Sequence, residues 1–140
     1  MSGFLLDTNV VSELRKQRPN PGLLRWIEVV DELGLFLSVV TVGELRIGIE
    51  MQTDGKKRSN LEAWLVSELI PRFEGRILTF DLSVAERWGR MEGRARRGSG
   101  KLQVIDALIA ATALHYDLTL VTNNESDFSR SGVAVVNPWT

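Results

Sequence analysis

The chain has no cysteine and a single histidine, His115. Without thiols there is no disulfide framework, no thiolate metal site and no cysteine nucleophile. His115 lies in an apolar helical pattern, where a packed or surface-tip imidazole is the usual outcome, so a metal-free ribonuclease that works with two histidines is excluded. No glycine-rich phosphate loop of the P-loop or dinucleotide kind is present, and no serine stands in a nucleophile elbow. No apolar run approaches the ~20 residues needed to span a bilayer, so no membrane segment is expected. Residues 1–6 are too short for the apolar part of a signal peptide and lack a basic lead. With no cysteine in use, the simple expectation is a cytoplasmic protein. No internal repeat, low-complexity segment or linker interrupts the chain.

What is present fits one domain spanning residues 1–140, with 44% hydrophobic and 25% charged residues, enough for a real core. The net charge of −1 announces no nucleic-acid binder, but the distribution is uneven. Arg87, Arg90, Arg94, Arg96, Arg97 and Lys101 are opposed in their interval only by Glu92. Such a run is either a solvated helix face leading into a loop or a surface for phosphates.

Strand and helix signals alternate. Phe4-Leu5-Leu6 reads as a buried strand broken at Asp7, with a helical pattern from Thr8 onward. Asn20-Pro21 looks like an N-cap and first helical proline, opening a helix that Gly34 ends. Leu35–Val40 is a second strand, and Thr41-Val42-Gly43-Glu44 matches a capping box for a helix reaching about Gln52. Asp54-Gly55-Lys56-Lys57 reads as a polar turn, Ser59 opens a helix carrying Trp64, Leu65, Leu69 and Ile70, 76–80 is a strand, and Ser83 opens the next helix. Gly98-Ser99-Gly100 breaks that pattern. The most apolar helix follows from about Gln103 to Tyr116 and should be central. Strands at 118–122 and 133–136 enclose the polar loop Asn123–Asp127. The expected class is α/β, a mostly parallel central sheet flanked by helices on both faces.

Four carboxylates fall where such sheets place their sites, at strand ends or on the helices that follow: Asp7, Glu44, Asp106 and Asp127. Each also has a structural explanation. Asp7 can cap the next helix, Glu44 can complete a capping box, Asp106 can favour a helix dipole, and Asp127 can make an Asx turn. Asp106 is the most telling, because it interrupts the central apolar helix, and a buried charge is costly unless paired or metal-bound. Two carboxylates about 5 Å apart repel by roughly 3 kcal/mol at an effective dielectric of about 20. A cluster of four therefore requires protons, helix N-termini or a divalent cation. Carboxylate oxygens favour Mg²⁺ or Mn²⁺ over zinc, and the chemistry such a site suits is phosphodiester hydrolysis.

These residues carry a resemblance that covers essentially the whole chain. Leu5-Leu6-Asp7-Thr8-Asn9-Val10-Val11-Ser12-Glu13, Ser38–Leu45, Val104–Ala113, Thr122–Phe128 and the ending Val136-Asn137-Pro138-Trp139 resemble the motifs of PIN-domain ribonucleases, specifically the VapC/FitB-like toxins of type II toxin–antitoxin modules. The resemblance implies a single PIN-like domain with Asp7, Glu44 and Asp106 as the acidic metal site and Thr8, Asn9 and Thr122 as supporting groups. It also implies cleavage of RNA, often structured or transfer RNA, a homodimer, and a small antitoxin that blocks the site. Trp26 and Trp64 are candidate docking surface for that partner. The family often has Arg where this chain has Asn123, and some members have Asp where it has Asn124. The fourth acid is left open: Asp127 is expected to act from the outer shell, with Asn124 hydrogen-bonding nearby. Arg94, Arg96, Arg97 and Lys101, preceding the helix of Asp106, are the candidates for holding RNA phosphates.

Two other classes compete. A catalytically weak PIN-like binding module would act only through its partner complex, but a dead site has no physical reason to keep mutually repelling acids. A receiver domain phosphorylated at Asp7 would want a second acid two residues on, where Asn9 stands.

Overall fold

The computed structural model describes residues 3–98, Gly100 and 102–140. Its centre is a sheet of five short strands, β1 (Phe4–Leu6), β2 (Leu35–Ser38), β3 (Ile77–Leu78), β4 (Thr119–Val121) and β5 (Val135–Val136). They lie in the order β3-β2-β1-β4-β5, and every neighbouring pair is parallel. Among the described residues seven α-helices connect them: α1 (Thr8–Leu14), α2 (Pro21–Val29), α3 (Val39–Met51), α4 (Gly55–Trp64), α5 (Ile70–Arg72), α6 (Leu82–Arg97) and α7 (Val104–His115).

Strand alternation divides the core in two. Leu6, Leu35, Leu37 and Val121 point to one face, where Val10, Val11, Leu23, Ile49, Leu65, Leu69 and Phe73 cover them. Leu5 and Leu120 point to the other, against Ile109, Ala110 and Ala113 of α7 and against Phe128. A sheet apolar on both faces needs helices on both, and the expected α/β layering is what forms. The α7 helix is central as its composition predicts, with Ala107, Ile109, Ala110, Ala111, Thr112 and Ala113 all buried.

Several boundaries differ from those the sequence suggests, and capping chemistry explains most of them. Ser38, not Thr41, caps α3: its hydroxyl accepts from the Val40 N–H at 3.0 Å, so the Thr41–Glu44 capping box does not form. Asp54 accepts from the N–H groups of Lys56 and Lys57, which turns the supposed polar turn into the first turn of α4. Asp81, not Ser83, caps α6 through the Val84 N–H. Asn20 caps α2 as expected, with Pro21 at N1, but α2 stops at Val29 and a separate 3₁₀ turn covers Glu32–Gly34. Residues Leu65–Leu69 form a π-helical turn between α4 and α5. Pro71, which follows it, lacks the N–H that an α-helix would bond to the Ser67 carbonyl.

The C-terminal residues fold back on α2. Thr140 bonds to Asn20 and to the Gly22 N–H, and Gly22 is required there, since a Cβ would stand 2.5 Å from the Pro138 carbonyl oxygen.

With β1 in the middle, the chain moves to one side through β2 and β3 and to the other through β4 and β5. The carboxyl ends of β1, β2 and β4 therefore meet at the point where the winding direction reverses, the usual ligand crevice of open parallel sheets.

Candidate active site

Asp7 is the residue immediately after β1 and is 5% exposed. Its Oδ1 accepts the Thr8 N–H at 2.8 Å, so it does cap α1. Its Oδ2 accepts from the Thr122 hydroxyl at 2.8 Å and from Asn9 Nδ2 at 3.2 Å. Capping and site geometry thus coexist in one carboxylate. Thr122, fully buried just past β4, uses its whole hydroxyl: it donates to Asp7 and accepts from Asn9 Nδ2 at 3.1 Å and from the Asn124 N–H at 3.0 Å. The Asn9 amide faces Asp7 through its nitrogen, because its oxygen there would meet the carboxylate, and its Oδ1 is left buried without a partner.

Glu44 comes from α3. Because α3 starts at Val39, Glu44 lies beyond the first turn and is free of capping. The Thr8 hydroxyl holds Glu44 Oε1 at 2.5 Å and lies 3.2 Å from the buried Thr41 hydroxyl. Thr41, read from sequence as a cap, is instead a buried neighbour of the hydroxyl that orients Glu44.

Asp106 sits in the first turn of α7, half-buried. Asp127 stands in a 3₁₀ turn, Glu125–Phe128, pinned by the buried Phe128 and closed by the Asp127 N–H to the Asn124 carbonyl at 3.1 Å. Together with Leu102, Gln103, Ser126, Ser129 and Arg130 these two acids line a cleft of ≈ 210 Å³.

Asp7 and Asp106 both feel the neighbouring acids. Burial pushes the Asp7 carboxyl above its ordinary value, hydrogen bonds from Thr122 and Thr8 pull it back, and the charges of Glu44 and Asp127 add to the rise. Asp106 is pushed up to about 6, first by burial and then by the charges of Asp7, Asp127 and Glu44. Among the described residues no three His, Cys, Asp or Glu side chains close into a ready-made metal cage. The donors nevertheless fit a hard divalent cation. They are all oxygens, their charges are in excess, and an unpartnered amide oxygen lies beside them. An open arrangement suits Mg²⁺, which keeps several waters and takes one or two carboxylates, better than it suits zinc.

A family model described as the PIN domain matches residues 4–133. The chain belongs to the PIN-domain family. It is 38% identical to Toxin FitB of Neisseria gonorrhoeae over 97% of this chain and 98% of that protein. It is 36% identical to VapC ribonuclease Y4jK of Sinorhizobium fredii, covering 97% of both. A solved structure of FitAB bound to an IR36 DNA fragment superposes with a TM-score of 0.89 at 35% identity, over 98% of this chain and 96% of that one.

In this PIN domain the remaining candidates are dispersed. Asn124 reaches the site through its backbone N–H. Arg94, Arg96 and Arg97 form the exposed last turn of α6, where they also suit the helix dipole. Arg94 lines a groove beside the helix, Arg96 leans on Glu92 at 3.6 Å, and Lys101 lies outside the described residues. Trp26 and Trp64 are half-buried against the core, Trp26 edge-on to Phe4 and Trp64 beneath Arg15. Arg130, lining the cleft of Asp106 and Asp127, was not legible as a site residue: it stands apart in sequence from the basic run.

Proposed function

We propose that this PIN domain is a divalent-metal-dependent endoribonuclease and the toxin of a type II toxin–antitoxin module, with the acids at the end of β1 as its active site. The observation that carries the proposal is the convergence of Asp7, Glu44 and Asp106 at one end of the sheet: Thr8 ties Asp7 to Glu44, and burial together with the charges of Asp7, Asp127 and Glu44 pushes the Asp106 carboxyl up, a repulsion that a bound cation relieves. The names of its relatives, Toxin FitB and VapC ribonuclease Y4jK, support the same activity.

In this reading Asp7, Glu44 and Asp106 hold Mg²⁺ or Mn²⁺, and Asp127 acts from the outer shell. When bound, the cation supplies Lewis acidity toward a phosphate oxygen and lowers the pKa of a water. Thr122, Asn9 and the Thr8 N–H hold the Asp7 carboxylate in one orientation, and the Thr8 hydroxyl holds Glu44. Asn124 supports Thr122 in turn. No imidazole competes as base: His115 closes α7 about 13 Å along the axis from Asp106, at 1.5 Å rise per residue.

The proposal extends to the whole chain as one catalytic domain, since the tail at 137–140 packs on α2. Its partner is a cognate antitoxin, as the FitAB complex suggests, reaching a basic side chain toward the acids, where an arginine fork pairs well with carboxylates. A homodimer belongs to the same reading, with Ile47 and Met51, exposed one turn apart on α3, as surface it would cover. No described helix is long and apolar enough to cross a membrane, and the proposed place of action is the cytoplasm.

Expression of the chain should arrest growth, with transfer RNA the first substrate to test. Co-expression of the product of the adjacent upstream gene should relieve the arrest and give a stable complex, and Asp7→Asn should abolish it. A chain that neither slows growth nor degrades RNA with Mg²⁺ or Mn²⁺ refutes the proposal.

A further inference from the structure

A groove of ≈ 760 Å³, larger than the acid cleft, runs along α6 and is closed by the end of α7 and by Arg130 and Ser131. Arg87, Arg90 and Arg94 enter it at helical spacing i, i+3, i+7, which places them on one stripe of α6. His115 lies in its wall. Glu86 is the one carboxylate among its lining residues, and its 3.5 Å pair with Arg90 is more than two-thirds exposed at both ends, a geometry worth little. Among the described residues no ion pair engages Arg87, Arg94 or Arg130. Four guanidiniums therefore face one weakly held acid.

Arg130 joins this groove to the acid cleft, because it lines both. Its guanidinium lies against Gly100, so close that a Cβ there would overlap it. From Arg87 to Arg94 the helix rises about 10 Å at 1.5 Å per residue. A stacked strand rises ~3.4 Å per nucleotide, so the stripe spans about three nucleotides.

We propose that this groove is the track for the phosphate backbone of a single RNA strand, with Arg130 the positioning residue that passes the strand from α6 to the acids. The inference rests on the nuclease reading of the acid cleft and adds to it Arg87 and Arg90, which lie outside that cleft, and Arg130, which lines it. An acidic peptide in the groove would bring further carboxylates toward a cluster that already repels. A phosphodiester strand presents its next phosphate where the cluster, with its cation, acts.

The test is binding of a short fluorescent single-stranded RNA in chelator, so that no cleavage occurs, across a range of salt. Arg87→Gln with Arg90→Gln should weaken binding and reduce the steepness of log K against log salt by about 1.4, ~0.7 per phosphate contact on a single strand. Arg130→Gln should reduce it by about half as much and, in metal, raise KM for RNA more than it lowers kcat. Lys57→Gln with Arg58→Gln on α4 removes the same charge elsewhere and should leave the slope unchanged, with melting curves confirming that all variants fold. A protein that binds with these slopes yet cleaves no RNA in any divalent metal supports the groove and sinks only the nuclease reading. A protein that cleaves RNA while the Arg87/Arg90 variant keeps wild-type affinity and slope overturns the groove. So does a variant that keeps RNA binding but loses its partner protein, which would assign the groove to an acidic peptide.

Discussion

Thr8 grips two acids at once: its hydroxyl holds Glu44 Oε1 at 2.5 Å, and its backbone N–H holds Asp7 Oδ1 at 2.8 Å. The second bond survives any substitution except proline, whereas the first depends on the hydroxyl. Thr8→Val keeps the shape and frees Glu44, and activity should fall by the 10- to 100-fold typical of lost outer-shell support. Thr8→Ser should restore most of it. Single-turnover cleavage rates decide, and a wild-type rate in Thr8→Val would show that Glu44 needs no orienting partner.

Asp106 makes the metal-free protein respond to acid in an unusual direction. Its folded pKa of about 6 exceeds the unfolded value near 3.9. The native state therefore binds more protons between about pH 4 and 6, and stability rises as pH falls through that window. In chelator the melting temperature should climb as pH drops from 7 toward 5. Asp106→Asn should flatten that climb and raise the pH 7 melting temperature by about 2–4 °C, taking ~1 kcal/mol for a half-exposed group at this chain length. Melting that falls steadily with acid in the wild type would mean that the acids do not burden one another.

Asp127 stands beside Asp106 but is exposed in its turn. Asp127→Ala should lower activity and metal affinity by roughly 10- to 100-fold, while Asp7→Ala should leave nothing measurable. Calorimetric titration with Mn²⁺ separates the two. Unchanged affinity and rate in Asp127→Ala would reduce the site to three acids and give Asp127 only a loop role.

Thr122 offers the sharpest structural test. Thr122→Val strands the Asn124 N–H, removes one of the two acceptors of the Asn9 side-chain amide and removes a donor to Asp7, so it should cost about 1–3 kcal/mol of stability. Denaturant unfolding measures this. A loss under ~0.5 kcal/mol would show that water replaces the hydroxyl freely.

The parallel sheet was legible in the sequence because its strands rest on local signals, apolar runs that stop at polar residues, and the same signals placed the four candidate acids at strand ends or on the helices that follow. The helix starts were less so. Ser38 competes with Thr41, and Asp81 with Ser83, for the same kind of N–H groups, and only the backbone path decides which side chain wins. That choice mattered for Glu44, which a capping box would have occupied. The π-helical turn at 65–69 leaves no residue pattern of its own. Arg130 was invisible for a different reason: Arg94 and Arg130 are brought to one groove by the packing of α7 between sheet and α6, a relationship that no spacing along the chain encodes.

The most direct test of the account is the chemistry of the cut. RNA incubated with the purified protein and Mg²⁺ should yield 5′-phosphate and 3′-hydroxyl ends, because a metal-activated water needs no help from the ribose 2′-hydroxyl. Chelator, Asp7→Asn or Asp106→Asn should each stop the reaction while the protein stays folded. Cyclic phosphate ends, or full cleavage in chelator, would contradict the claim that these carboxylates are a divalent-metal nuclease site.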